Sequence, residues 1–328
     1  MISSVGERPR RAAGSGAVAM VFVGCSVAVS SLLVGSPLFT VQALRYALAS
    51  VLLLAFARGR VVVPRGPDWL WLGGIAATGL VLFNVALVYG SRHAEPAVLG
   101  VAVASVPVVL AAIAPLLRGA RPAVRALAAA LVVTGGAALV EGLGRSDALG
   151  LLWAVTVFGC EAAFTLLAVP VLGRHGPWGV SVHTTWIATL MFAAIGLARE
   201  GPGAVLRLDR TDLVAIGYLA VCVTALAFVL WYSSVDRLGA ERAGLLTGIA
   251  PASAALCGIA LGRPVPGPLV WAGIAVVTLG LALGLRPSNA RPEPRPEPEP
   301  VPVPGPAQDA AMPSRTRSRP HRNCAVET

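Results

Sequence analysis

Three ionisable residues lie inside long apolar stretches of this sequence, namely Glu161, Arg45 and His183. A charge inside a membrane is expensive, so each of these residues is a functional hypothesis by default. A carboxyl group that is removed from water binds a proton more readily, and Glu161 is therefore predicted to exchange protons. The alternative is a structural ion pair between Glu161 and Arg45, because buried charges generally find partners.

Arg45 and His183 each admit two interpretations. A guanidinium can hold a substrate carboxylate through two hydrogen bonds, or it can fix its own helix by bonding backbone carbonyls or Glu161. Gln42 and Tyr46 lie close to Arg45 on the same helical face. His183 can change its charge near neutral pH, but a histidine near a helix end more often faces the membrane interface, and this second interpretation is favoured.

Helical spacing adds further candidates for a binding site. Trp153 shares a face with Glu161, since the two are separated by two steps of four residues. Asn84 is predicted to bond between helices, and cavity lining is its second interpretation. Tyr232 ends a helical stripe that includes Trp231, and aromatic residues near a helix end are more often interface anchors than substrate contacts.

The sequence carries no motif that indicates an enzyme. It lacks a nucleophile elbow, a zinc-protease helix and a nucleotide-binding loop, which also argues against a self-contained ATP-driven pump. The cysteines show no metal or redox spacing, so we predict small packing residues, no metal and no cofactor. They are Cys25, Cys160, Cys222, Cys257 and Cys324.

The elements that must position these residues are membrane-spanning helices. Hydrophobic residues make up 56% of the 328 residues and charged residues only 13%, whereas a soluble domain carries about 25% charge. A spanning helix needs about 20 mostly apolar residues, and this length predicts ten helices. They lie near 17–35, 38–57, 69–90, 94–117, 123–141, 148–170, 179–198, 212–234, 240–261 and 267–285.

The arginines between these helices predict the orientation of the chain. Twelve lie at the N-terminus and in the loops after the even-numbered helices, against six in the other loops, and the sequence contains no lysine. The positive-inside rule therefore predicts that both termini are cytoplasmic. The arginines follow membrane topology, so no nucleic-acid partner is expected. From residue 286 onward, the chain becomes rich in proline and mixed in charge, which predicts a disordered cytoplasmic tail.

The sequence also contains an internal repeat. The pattern Val-Val-Thr-x-Gly-x-Ala-Leu occurs at residues 132–139 and again at 276–283, which is 144 residues later, and Pro107 and Pro251 have the same separation. Each repeat would hold five helices, and an odd number places the second copy upside down in the membrane. Inverted repeats are typical of secondary transporters, and corresponding helix breaks at Pro107 and Pro251 favour a site between the repeats.

Paired five-helix repeats of this kind resemble the EamA-type transporters of the drug/metabolite transporter superfamily. The residues that carry the resemblance are Ala43-Leu44-Arg45-Tyr46, the segments 94–107 and 240–251, and the small-residue helices that close each half. The resemblance covers residues 17–285 and implies a central cavity lined by the first four helices of each repeat. Glu161 on the sixth helix is loosely similar to the first-helix glutamate of small multidrug transporters in that superfamily.

The chain departs from this family at one turn. EamA-type sequences usually carry Leu-Gly-Glu between the fourth and fifth helices of each repeat. The counterparts here are Arg118-Gly119-Ala120 and Leu261-Gly262-Arg263, which lack both glutamates. This difference predicts that the turn is structural rather than needed for transport.

We therefore expect an all-α, multi-pass protein of a bacterial inner membrane. It is divided into a cytoplasmic N-terminus (1–16), a first repeat (17–141), a second repeat (142–285) and the tail (286–328). The expected function is export of small metabolites or drugs by alternating access, with proton coupling at Glu161 and facilitated diffusion as a close second. The partners are a small-molecule substrate, protons and the bilayer, and the protein is a monomer or a homodimer. An intramembrane lipid-handling enzyme and a non-transporting scaffold are the alternatives.

Overall fold

The computed structural model describes residues 4–33, 35–59, 61–142, 144–260 and 265–285. These residues form helices joined by short connections, as the apolar stretches predict. The Pro-rich tail from residue 286 and the turn at 261–264, both interpreted from the sequence, lie outside the described residues.

Ten helices follow one another through the described part of the chain. Eight of them, α2 to α9, are long and apolar enough to cross a membrane, while the apolar stretches of α1 (Arg11–Ser26) and α10 are shorter. The helices are α1 (Ser4–Ser30), α2 (Leu38–Ala57), α3 (Asp68–Gly90), α4 (Pro96–Leu117), α5 (Val124–Glu141), α6 (Ala148–Leu166), α7 (Val169–Arg199), α8 (Arg210–Leu238), α9 (Ala240–Ala260) and α10 (Pro268–Gly284).

Local chemistry sets where several helices begin. Asp147 precedes α6, and its side chain accepts a hydrogen bond of 2.7 Å from the backbone N–H of Gly150. Asp209 and Asp212 form a reciprocal capping box at the start of α8. Pro96 and Pro268 occupy first-turn positions of α4 and α10. Backbone N–H groups in the first turn of a helix have no acceptor within the helix, so proline, which lacks an N–H, costs no hydrogen bond there.

Three helices are interrupted within their length. Helix α4 breaks at Ser105, two residues before Pro107, and α9 passes through a 3-10 turn at Leu246–Gly248 just before Pro251. Helix α7 breaks at Gly176, whose φ of 64° lies in the left-handed region that favours glycine. Proline lacks the N–H that a continuous helix requires, which accounts for breaks next to Pro107 and Pro251.

The repeat seen in the sequence recurs in the backbone. Helices α3 and α8 each contain an eight-residue π-helical segment, at Ile75–Leu82 and Leu219–Leu226, so both bounds differ by 144 residues. Asp68 and Asp212, also 144 residues apart, accept a hydrogen bond of 3.1 Å from the backbone N–H three residues earlier. The two halves therefore share local geometry that hydropathy alone does not encode.

Glycines allow the closest helix contacts. In α5, a Cβ on Gly136 would lie 2.9 Å from the carbonyl oxygen of Gly273 in α10. A Cβ on Gly280 would lie 2.7 Å from Val133, and one on Gly244 in α9 would lie 2.7 Å from Leu110. Gly244 and Gly280 each begin a Gly-x-x-x-Gly pattern, and both patterns therefore lie on close-packing faces between helices.

The prediction that all cysteines are packing residues is wrong for two of them. Cys25 in α1 and Cys257 in α9 form a disulfide, with their Cα atoms 5.7 Å apart. Cys160 and Cys222 carry free thiols. The 232 residues between Cys25 and Cys257 exclude any short spacing motif, so the pairing arises only from the packing of α1 against α9.

Two polar pairs hold the α3–α4 and α5–α6 connections together. Glu95 accepts a hydrogen bond of 3.0 Å from Arg145, and this contact lowers the pKa of Glu95. His93 Nδ1 lies 3.0 Å from Asp147 Oδ2, and the backbone N–H of Gly150, together with His93, lowers the pKa of Asp147.

Candidate functional site

A cavity of about 200 Å³ lies between α1, α2, α3, α4, α6 and α8. Two of the three ionisable residues singled out from the sequence, Arg45 and Glu161, line it. Its remaining walls are largely aromatic and aliphatic, and they include both π-helical segments through Gly79 and Val223. The other lining residues are Met20, Val23, Ser26, Ser30, Tyr46, Phe83, Asn84, Leu87, Val103, Phe164, Ala227, Phe228 and Trp231.

Arg45 is held at the cavity wall by neutral partners. Its Nε donates a hydrogen bond of 2.8 Å to the hydroxyl of Thr224, and its Nη1 donates one of 3.4 Å to Gln42. The guanidinium carbon also lies 5.1 Å from the ring centroid of Tyr46, within the range of a cation–π contact. None of these partners neutralises the positive charge, so the guanidinium can still attract an anion.

Asn84 and Tyr46 connect α3 to α2 beside Arg45. The Asn84 amide donates hydrogen bonds to the Tyr46 hydroxyl (3.1 Å) and to the carbonyl oxygen of Leu80 (2.7 Å). The Tyr46 ring stacks on Phe192 of α7, with ring centroids 5.6 Å apart. Tyr46 is buried and is thus fixed from both sides.

Glu161 has neither a hydrogen bond nor an ion pair with any residue that the structure describes, although it lines the same cavity as Arg45. The alternative of a structural Glu161–Arg45 ion pair is therefore absent from this structure. A carboxyl group in an aromatic cavity without a partner is costly as an anion. It is thus available to a proton or to a cationic group of a ligand.

A second cavity, of about 770 Å³, adjoins the central one. The two share Ser30, Arg45, Asn84 and Leu87. The larger cavity extends to the end of the bundle that holds the α1–α2, α3–α4 and α7–α8 connections. We call this the outer end, following the predicted orientation, and the opposite end the inner end.

The predicted candidates separate into two groups. Gln42 lines the larger cavity, Tyr46 the central one and Asn84 both. Trp153 is not part of the central cavity wall: its ring stacks on Tyr89 with centroids 6.1 Å apart. Tyr232 is fully buried behind that wall, where its hydroxyl lies 3.4 Å from the Phe164 carbonyl oxygen.

Three residues that the sequence placed at the membrane interface are buried instead, so that prediction is wrong for them. His183 is only 7% exposed, and its imidazole bonds the carbonyl oxygen of Val62 and the indole N–H of Trp186. Trp231 and Tyr232 are likewise buried rather than anchored at the membrane surface. The residues lie near helix ends in sequence, but neighbouring helices cover those ends.

The structure assigns roles that the sequence did not indicate, including roles for Thr224 and Phe228 of the helical stripe that contains Trp231 and Tyr232. Thr224 is the main partner of Arg45, from which it is separated by 179 positions. Phe83, Phe164 and Phe228 build the aromatic wall. Phe164 lies one helical turn after Glu161, a spacing that was visible in the sequence.

Most of the chain also matches a known family. The EamA-like transporter family matches it twice, over residues 11–142 and 148–286. The protein belongs to this family. It is therefore a multi-pass membrane transporter, and the two matches coincide with the two halves that repeat after 144 residues.

Two relatives and one solved structure are similar to this EamA-like transporter. An uncharacterized transporter, YetK, of Bacillus subtilis (strain 168) is 28% identical over 262 residues, covering 76% of this chain and 79% of the relative. A probable terminal-alkyne amino-acid exporter of Streptantibioticus cattleyicolor is 27% identical over 247 residues, covering 73% and 81%. A crystal structure with 19% identity has a TM-score of 0.68 and covers 83% of this chain and 95% of its own, a likeness of fold.

Proposed function

We propose that this transporter exports small amphipathic zwitterions, with amino acids of apolar side chain as the substrate class. The observation that carries the proposal is the pairing of one cation and one unpartnered carboxyl group in a single aromatic cavity. Arg45 would bind a carboxylate and Glu161 an ammonium group, while Phe83, Phe164 and Phe228 would contact the apolar body. The name of the Streptantibioticus relative supports an amino acid as the cargo.

Alternating access between two inverted halves is the mechanism that we propose for this site. The wide outer cavity beside the narrow central one supports this mechanism, in which it would belong to a state open at the outer end. Such a pair of halves rocks between two related arrangements around a fixed midplane site. The inner membrane of a bacterium, with both termini cytoplasmic, would make outward release of the substrate an export step.

Glu161 is the residue that we propose to couple transport to protons. An ammonium group and a proton compete for the same carboxyl group, so each released substrate would leave Glu161 free to bind a proton. The proton would then be carried to the other side when the empty site returns. This exchange requires a carboxyl group without a fixed partner, as Glu161 is in the described part of the chain.

The test measures transport in proteoliposomes with radiolabelled phenylalanine, leucine and propargylglycine. We expect Glu161→Gln to abolish uptake driven by a proton gradient, because an amide binds no proton. Substrate exchange at equal pH should continue with a raised KM, because the amide oxygen still accepts a hydrogen bond from the ammonium group but carries no charge. Glu141→Gln is the matched control, since Glu141 ends α5 and is not part of the central cavity wall.

Three outcomes would count against the proposal. Gradient-driven uptake that survives Glu161→Gln excludes coupling at this residue. Uptake by the unmodified protein that ignores the gradient indicates facilitated diffusion. The amide of phenylalanine lacks the carboxylate, and the deaminated acid lacks the ammonium group. If either analogue competes as well as phenylalanine itself, the site does not recognise both charges.

A further inference from the structure

A second group of titratable residues lies at the inner end, outside the central cavity. Asp68, the first residue of α3, accepts hydrogen bonds from the backbone N–H of Arg65, the Arg174 guanidinium and His175 Nε2, the last at 2.9 Å. Asp68 belongs to the first half of the chain and His175 to the second. The contact therefore joins the two halves.

His175 is buried and carries a nitrogen without a partner. Its side chain has 0% exposure, and its Nδ1 has no hydrogen-bond partner among the described residues. The nearest ring, that of His183, stands edge-on with its centroid 5.6 Å away. His183 accepts from Trp186 through Nδ1 and so must donate to Val62 through Nε2. His175 Nδ1 is thus the free acceptor of this cluster.

A helix break separates the segment that carries His175 from the rest of α7. Residues 169–175, which we call the α7 arm, precede the helix break at Gly176 and the proline that follows it. On its other face, the arm contributes Val169, Leu172 and Gly173 to a cavity of about 420 Å³ at the inner end. The ends of α4 and α8 supply the opposite wall. A shift of the arm therefore changes the width of this inner cavity.

We propose that His175 Nδ1 is a proton-binding site that controls whether the α7 arm closes the inner end of the protein. With His175 neutral, its Nε2–H donates to Asp68 and the arm is held against α3. A proton on Nδ1 creates a buried, charged N–H without an acceptor, a cost that exceeds that of an unpaired neutral group. Asp68 attracts the new charge, but the Arg174 guanidinium, which pairs with the same carboxylate, repels it and offsets part of that attraction.

The surrounding charges support this direction. Arg174 brings a like charge next to His175 on the same arm, and His183 faces it from the main part of α7. Arg65 contributes its backbone N–H to Asp68 from the α2–α3 connection. Asp68 is the one carboxylate that the contacts place beside the ring in the described residues. Protonation therefore releases the arm, and acid at the inner end opens the inner cavity.

The equivalent position in the other half lacks a titratable partner. Asp212 begins α8 as Asp68 begins α3, but its inter-half partner is the hydroxyl of Ser36 at 2.7 Å. A serine does not change its charge in the physiological range. The proton response is therefore confined to the inner end, although the two contacts follow the same repeat.

The test follows the labelling of an engineered cysteine, Ala114→Cys, in the full chain in lipid nanodiscs. Ala114 lines the inner cavity and is only 3% exposed. Mass spectrometry of the peptide that contains the engineered cysteine gives its labelling rate. Dividing this rate by that of Ala120→Cys, at an exposed position, gives a labelling ratio from which the pH dependence of thiol chemistry has been removed. We expect this ratio to rise at least about threefold from pH 7.5 to pH 5.5, the range in which histidine changes its charge.

Variants identify the group responsible. With His175→Gln, which donates to Asp68 but binds no proton, the ratio should stay low at both pH values. Asp68→Asn should raise it at both, because the Arg174 and His175 contacts are weakened together. The matched control is His93→Gln, which removes another histidine–aspartate pair at the outer end and should keep the acid response.

The inference fails if the ratio is constant with pH in the unmodified background, or if the acid response persists with His175→Gln. The readout is arm position rather than transport. It is therefore independent of Glu161, and the response should be unchanged in Glu161→Gln. A loss of the response in that variant would assign the proton to the central cavity instead.

Discussion

At the scale of single residues, the central cavity separates its two charges. Arg45 donates its hydrogen bonds to Thr224 and Gln42, whereas Glu161 has no hydrogen-bond or ion-pair partner within the described residues. An arginine that bonded Glu161 would neutralise both groups and leave no charge for a zwitterionic substrate. The hydroxyl of Thr224 therefore acts as the positioning group that keeps the guanidinium at the wall.

Thr224→Val removes this hydroxyl while keeping the shape of the side chain. We expect the KM for a zwitterionic substrate to rise about tenfold, since a hydrogen bond to a charged group contributes about 1.5–3 kcal/mol. Transport kinetics in proteoliposomes measure the effect. Thr224→Ser, which retains the hydroxyl, should stay within about twofold of the unmodified protein, and equal KM values for the two variants would contradict the assignment.

At the scale of helices, the cavity depends on rigid pairs around it. Helices α5 and α10 approach so closely that a Cβ on Gly136 would lie 2.7 Å from the backbone nitrogen of Val277. Small residues allow this approach, and apolar helices in lipid associate mainly through such packing. Gly135, the neighbouring residue, faces open space with nothing within 4 Å of an added Cβ.

The adjacent glycines provide a matched pair of substitutions. We expect Gly136→Ala to destabilise the protein by about 1–3 kcal/mol, the usual range for overpacking a close contact. Gly135→Ala should change stability by no more than about 1 kcal/mol, because only helix propensity is altered. Thermal unfolding in detergent compares the two, and similar melting temperatures would show that α5 and α10 do not touch at this face.

At the scale of the whole molecule, a covalent link joins the halves. Cys25 lies in the first family match and Cys257 in the second, so their disulfide connects the two repeats near the central cavity wall formed by Val23 and Ser26. The α5–α6 connection between the matches is the one backbone link between the two repeats. The halves are therefore tied twice, once by the backbone and once by this bridge.

Cutting the backbone between the halves tests this second tie. A protease site inserted after Gly144 would separate Cys25 from Cys257 in the chain. We expect the cleaved protein to run as one band without reductant in denaturing electrophoresis and as two bands with it. Cys25→Ser supplies the control, which should give two bands in both lanes. Two bands from the unreduced parent chain would contradict the disulfide.

Much of this architecture could be predicted from local sequence. Membrane spans follow from runs of apolar residues, and their placement agrees with α2 to α6, α8 and α9 within about four residues. The prediction is wrong for the start of α7, which lies at Val169 rather than at residue 179, because the break at Gly176 is part of that helix. The 144-residue repeat could also be recognised in the sequence, because Pro107 and Pro251 are separated by this distance and proline interrupts a helix wherever it occurs in the interior. Glu161 and Arg45 stood out because a charge among apolar residues is costly wherever its helix packs.

By itself, the sequence determined which segments are helical, that they repeat and which charges lie inside apolar helices, since each of these depends on residues within a few turns. The tertiary structure decided the pairings: Arg45 with Thr224, Asp68 with His175 and Cys25 with Cys257. Each pair joins residues more than 100 positions apart, and each successive residue turns a helix face by about 100°. Which faces meet is therefore settled only when the helices pack.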